Sequence, residues 1–291
     1  MKTAAHLFQP DRGALHLRRQ IANYLAVGLT TLFAGAAIFF LGYLIVYVAR
    51  LGIQYLNIDF FTQPPGAEGE AGGGVLPAIE GSLIIVGLAA AIGVPLGIFT
   101  GIYLSEFGRG RIASVVRFLV DILTGIPSII FGLFAWVLIV VPQHHFSGFA
   151  GSVALSIIMI PTVARATEEV LRLVPKEMRE GSVALGATES RTILRVVIPA
   201  AKSGIITGIL LAVARVAGET APLLMTALGT NFSRISLSRP MDALPLRVFN
   251  FTLDPFAADH DKAYAGAFVL MMLVLVTSFA VRWATGGFKQ R

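Results

Sequence analysis

No cysteine occurs among the 291 residues, which excludes disulfides and thiolate-ligated metal. Charge is scarce as well. Asp, Glu, Lys and Arg make up 14% of the chain and hydrophobic residues 55%, whereas a soluble domain carries roughly 25% charged residues. Such a composition predicts an all-α integral membrane protein, because a helix satisfies its own backbone hydrogen bonds in lipid. Catalytic patterns are missing too. There is no HExxH, no GxSxG and no aspartate dyad in the apolar runs, which argues against an intramembrane hydrolase. His144 and His145 are adjacent in a loop and read as a solvated pair, so no metal site is expected. The net charge is +6, but the basic residues sit in short loops beside apolar runs, which argues against nucleic acid as a partner.

What is present is a series of apolar runs. A membrane span needs about 20 such residues, and six segments qualify: 21–48, 76–104, 118–141, 149–163, 203–228 and 264–283. The first is far longer than the roughly 7–15-residue core of a signal peptide, so it reads as an uncleaved span. Basic residues mark the cytoplasmic side. Seventeen fall on one face and five on the other, with Arg215 inside the fifth span. The bias puts both termini and the loop 166–202 in the cytoplasm. The expected organisation is a cytoplasmic tail over 1–20 and a six-helix permease domain over 21–291. Absence of inverted repeats argues against a secondary transporter.

The loop between spans four and five is charged and carries helical signals. Val170, Leu171, Val174 and Met178 form one apolar stripe. Glu168 and Glu169 fall in the first turn of a helix over 167–180, favourable for its dipole, with a break or kink near Pro175. Gly186 supplies a positive-φ turn. Thr188 or Ser190 can cap a second helix that stops at Pro199. The result is a cytoplasmic helix-turn-helix, read either as an interfacial loop or as an element inserted into a partner's groove.

Glu180-Gly181-Ser182, Gly186 and Val196-x-Ile198-Pro199, at this spacing, resemble the EAA loop of ABC importer permeases. Two alanines of that pattern are Gly181 and Ser182 here, both still small. The resemblance implies the type I ABC importer permease fold and a loop that docks on an ATPase through Glu180, Gly181, Ser182, Gly186, Ile198 and Pro199. No Walker A pattern occurs in the 291 residues, so no cofactor is expected on this chain. ATP and magnesium are expected on a separate ATPase subunit.

Span five holds Arg215, about 18 Å along a helix from Ser203, with Glu219 on the same face one turn further. A charge within a span normally faces a cavity or a partner. The pair reads either as a structural lock on neighbouring spans or as a pathway site for an anion, and the two are compatible. Arginine stays protonated and offers a fork of donors suited to oxyanions.

The run from Gly218 through Glu219 and Thr220 to Leu223 resembles the signature of A-type permeases of bacterial phosphate-specific transport. Residues 100–106, 125–132, 161–169 and 243–246 agree with it, and the resemblance covers roughly residues 75–285. It implies import of inorganic phosphate by alternating access in the bacterial plasma membrane. Another oxyanion or small solute is the alternative cargo. It also implies a paralogous permease, two cytoplasmic ATPase copies and an extracytoplasmic phosphate-binding protein. Arg215, Glu219 and Thr220 are the candidate pathway residues. Elsewhere, Pro95 and Pro127 are expected to kink their spans. Gly101, Gly125 and Gly132 are expected at close helix contacts. Arg165 is expected to meet lipid phosphate or line the exit, and Asp121 and Glu80 to meet headgroups or neighbouring helices.

Overall fold

The computed structural model describes residues 12–70, 72–233 and 235–284, with side chains described between residues 16 and 279. The side chains of Lys2, Arg12, Arg234, Arg282, Lys289 and Arg291, and the start of the 1–20 tail, lie outside the described residues. The protein is helical throughout its regular elements. Two units divide the chain, Met1–Arg50 and Leu51–Arg291. The described residues of the first form one helix, the main part of α1 (Arg12–Gly52). Its large side chains, Leu32, Phe33, Phe39 and Phe40 among them, are exposed, which suits a lipid-facing span.

The second unit opens with the short α2 (Ile58–Thr62), capped by Asn57, whose side chain accepts from the Phe60 amide. The helix α3 (Leu76–Ile102) stays helical through Pro95. Next come α4 (Arg111–Gly125), α5 (Ser128–Ala135) and the one-turn α6 (Val141–Gln143). The long α7 (Gly148–Arg172) leads to the hairpin of α8 (Lys176–Ala184) and α9 (Glu189–Thr192). Then follow α10 (Ile198–Ala217), the short α11 (Ala221–Thr226), α12 (Leu244–Leu253) and α13 (Ala257–Ala284).

Among the described residues five helices are long and apolar enough to cross a membrane, and counting a bent pair as one span makes six. The kink expected at Pro127 in the third span is instead a break, sharper than a kink within one helix. The chain turns by 104° between α4 and the helical stretch Ser128–Gln143. Pro127 forces the preceding Ile126 out of the helical region, to φ −73° and ψ 134°, because its ring clashes with the neighbour's backbone. Span four is longer than expected, reaching Arg172. Span five is shorter at its far end. Its helix stops at Ala217, and 221–226 form a separate helix.

Pro199 also behaves differently from expectation. The helix does not stop there but runs from Glu189 to Ala217. A π-turn over Ile193–Val197 precedes the proline, and the Ile198 amide reaches back to the Ile193 carbonyl. The same arrangement precedes Pro142, where Val141 reaches Trp136 across the π-turn Trp136–Val140. A widened turn displaces the carbonyl that a proline ring would otherwise strike.

Lipid gives no hydrophobic drive for helix association, so small residues that admit close approach dominate such interfaces. Gly93, Gly97 and Gly101 recur every fourth residue along α3 and face α7. A Cβ on Gly97 would lie 2.6 Å from the Val163 Cβ, and one on Gly101 would lie 2.6 Å from the Ala164 carbonyl oxygen. Gly132 meets Pro222 as closely, joining α5 to α11, whereas a Cβ on Gly125 would meet nothing. The main apolar cluster draws Ile85, Phe131, Leu155, Met159, Val216 and Leu223 from α3, α5, α7, α10 and α11. A second cluster, with Leu171, Val174, Val197 and Ala201, lies under the hairpin.

Candidate functional site

The hairpin closes on its glycine. Gly186 has φ +85°, a region that costs a β-carbon residue strain. Its amide bonds the Val183 carbonyl at 2.9 Å, and the Ala187 amide reaches Ser182 at 3.2 Å. This paired pattern is the glycine stop of a helix. Thr188 caps α9 by accepting from the Arg191 amide, one of the two caps expected. Leu185, at the tip, is 91% exposed.

The six candidate coupling residues divide by orientation. Glu180, Gly181, Gly186 and Pro199 are exposed. A Cβ on Gly181 would meet nothing within 4 Å. Ser182 is half-buried and its hydroxyl meets that of Thr192 at 2.9 Å, tying α8 to α9. Ile198 packs against the cluster beneath. A cavity of about 780 Å³ opens behind the hairpin, lined by Glu106, Arg179, Glu180, Thr192 and Val197 among others.

The apolar stripe 170–178 is not one helix. Val170 and Leu171 end α7, Val174 lies in the turn, and Met178 stands on α8. Glu168 therefore sits near the C-terminal end of a helix, where the dipole disfavours an anion. Arginines compensate. Glu168 is 1% exposed. Its Oε1 accepts from Arg117 Nε at 2.9 Å and Arg172 Nη2 at 2.6 Å. Arg165 Nη1 lies 3.5 Å from Oε2. Arg165 also pairs with Asp121 of the neighbouring α4. Glu80 accepts from the Ser233 hydroxyl. Sequence reasoning missed Glu106 as well, which pairs with Arg179. The available signal was an acid at the end of an apolar run on the side rich in bases.

Arg215 and Glu219 lie on opposite sides of a break in the helix. Arg215 is two residues from the end of α10, and Glu219 lies beyond that end, in the link before α11. The expectation of both on one continuous helix is corrected accordingly. The Gly218 amide bonds the Arg215 carbonyl and the Glu219 amide that of Val216, a tightening typical of helix ends. Arg215 Nε stands 3.9 Å from Glu219 Oε1, with side-chain exposures of 49% and 17%. That separation is an ion pair without a hydrogen bond. Thr220 follows, half-buried, and its carbonyl accepts the amides of Leu223 and Leu224. Of the three pathway candidates, Arg215 and Glu219 face each other, with Thr220 next in the chain. Among the described residues, no group of three or more His, Cys, Asp or Glu is placed to hold a metal ion.

Residues 93–291 match the family of binding-protein-dependent transport system inner membrane components. The chain belongs to this family. Among its relatives is the phosphate transport system permease protein PstA of Haemophilus influenzae, 43% identical over 91% of this chain and 94% of that protein. The Yersinia pestis protein of the same name is 41% identical over 97% and 96%. Solved structures share the fold. A chain of a bacterial alginate ABC transporter gives a TM-score of 0.65 at 14% identity, covering 94% of this chain and 97% of that one. A chain of the inward-facing MetNI methionine ABC transporter gives 0.61 at 21%, covering 72% and 94%. The protein is thus a multi-pass permease of the ABC importer type, with the hairpin α8–α9 between its fourth and fifth spans.

Proposed function

We propose that this chain is a permease subunit of an ATP-driven importer that carries inorganic phosphate into the cytoplasm by alternating access. The observation that carries the reading is Arg215. It is half exposed and held only loosely by Glu219, so its guanidinium keeps donors available for an oxyanion. It also ends the same helix, Glu189–Ala217, that begins in the hairpin. A movement of the hairpin therefore reaches Arg215 without crossing a loop. The names of the relatives supply phosphate as the cargo.

The hairpin is the docking element for a cytoplasmic ATPase, engaged through Glu180, Gly181, Ser182, Gly186, Ile198 and Pro199. Gly186 shapes its tip, and Leu185 offers an apolar anchor. ATP and magnesium belong to that ATPase, present in two copies. A paralogous permease completes the pathway, and an extracytoplasmic phosphate-binding protein delivers the cargo. Both termini lie in the cytoplasm of a bacterial cell, as the bias of basic residues supports.

Radiolabelled phosphate uptake by the reconstituted complex tests this. Uptake is expected to depend on ATP and binding protein, with arsenate competing and sulfate and molybdate not. Uptake of sulfate or molybdate in preference to phosphate would overturn the cargo assignment.

A further inference from the structure

One guanidinium joins the hairpin to two membrane helices. Among the described residues, the α8 side chain that bonds outside the hairpin is that of Arg179. Its Nη1 donates to Glu106 and its Nη2 to the Leu171 carbonyl at 2.8 Å. Glu106 lies in the π-turn Tyr103–Phe107 that ends α3, and Leu171 lies in the last turn of α7. The Glu106 side chain is 5% exposed, and its other oxygen accepts from the Ser105 hydroxyl at 2.9 Å. A buried carboxylate of this kind depends on its partner.

The same π-turn passes the connection on. Its Leu104 carbonyl accepts from Arg117 of α4 at 3.3 Å, and Arg117 also holds Glu168. Beyond α4, α5 presses through Gly132 on Pro222 of α11, three residues past Glu219. Two routes therefore leave the hairpin. The covalent one runs along the Glu189–Ala217 helix to Arg215. The other runs through Arg179 and Glu106 to the ends of α3 and α4, and so toward the Glu219 side of the break.

We propose that Glu106 and Arg179 are positioning residues that carry the movement of the hairpin into α3 and α4. The role rests on the reading of the hairpin as the ATPase docking element. Shape alone would make the pair a structural tie. Its place, bridging the hairpin to a buried π-turn, makes it a transmitter, and proximity becomes coupling only if a measured cycle shows it.

The test uses the assembled complex of this chain with its permease and ATPase partners in proteoliposomes, supplied with binding protein. The readout is radiolabelled phosphate imported per ATP hydrolysed. E106Q and R179Q are each expected to lower that ratio by roughly fivefold or more, with the ATPase still co-purifying. The double variant E106Q/R179Q is expected to match the worse single variant, because partners in one interaction are not additive. R179K keeps the charge but loses the fork, and is expected to fall between wild type and R179Q. An unaltered ratio, losses that multiply in the double variant, or loss of the ATPase from the purified complex would each overturn the proposal. Gly186→Pro separates this failure from that of the docking reading. If it uncouples while the paired variants do not, the role of Glu106 and Arg179 alone fails. If it leaves the ratio and co-purification intact, the docking reading fails and the role of the pair with it.

Discussion

Arg247 and Arg215 are each paired with a carboxylate, and their surroundings make them opposites. Arg247, on α12, has Nε and Nη2 at 2.6 Å from Asp242 Oδ2, with side-chain exposures of 8% and 0%. Its Nη1 donates to Asn231 Oδ1 at 2.8 Å and its Nη2 also to the Thr230 carbonyl at 2.9 Å, and the Phe251 ring centroid lies 5.5 Å away. Burial pushes the Asp242 carboxyl up from the usual carboxylate range, against the opposing pull of Arg247. Arg215 is half exposed and stands 3.9 Å from its partner. The sealed arginine has spent its donors on the protein. The open one retains donors for a ligand. Identical chemistry is therefore closed off in one place and, in the proposed function, open to a transported anion in the other.

The largest expected effect strikes the sealed pair. Arg247→Met leaves Asp242 buried without its cation and is expected to cost about 3–5 kcal/mol, read as loss of folded protein in denaturant titration of the purified chain. A shift within the range of a surface substitution would break the contrast. Arg215→Gln is expected to cut phosphate uptake about a hundredfold, equal to about 2.7 kcal/mol on the barrier. Its unfolding free energy is expected to stay within about 0.5 kcal/mol of wild type. If Arg215→Gln unfolds the chain instead, the residue is a lock like Arg247. Arg215→Lys sharpens the comparison. A point charge without the planar fork is expected to lose about tenfold in uptake, whereas full activity would show that charge alone suffices. Glu219→Gln is expected to change uptake only about twofold, since a pair this loose contributes little. A large loss would move Glu219 from a weak tether to a direct part in the pathway.

Local chemistry was legible. The Gly186 turn and the Thr188 cap follow from residues within a few positions of each other, because both are backbone hydrogen-bonding problems solved within one turn. The apolar runs marked the spans for a similar reason: spanning helices must be apolar over their own length. The Gly97 and Gly101 contacts were half legible. Small residues on one helix announce a close neighbour without naming it, and only packing shows Val163 and Ala164 opposite. Pro199 misled because a π-turn lets a helix pass a proline, and nothing in an apolar pattern signals the widened turn. Glu168 misled because its stripe continued across the Pro175 break. Its partner Arg117 lies 51 residues away, and Glu106 lies 73 residues from Arg179. No periodicity connects such pairs.

By itself, the sequence determined that this chain crosses a membrane as helices, that a glycine-turned hairpin stands between two of them, and that an arginine is set in the fifth span. Those properties depend on transfer of side chains to lipid and on hydrogen bonds within a turn or two. Only the tertiary structure decided which arginines are sealed and which are open, and which carboxylates join the hairpin to the membrane helices. Burial and pairing depend on what distant segments bring to the same place, and the strength of a charge interaction follows that local environment rather than the identity of the residues.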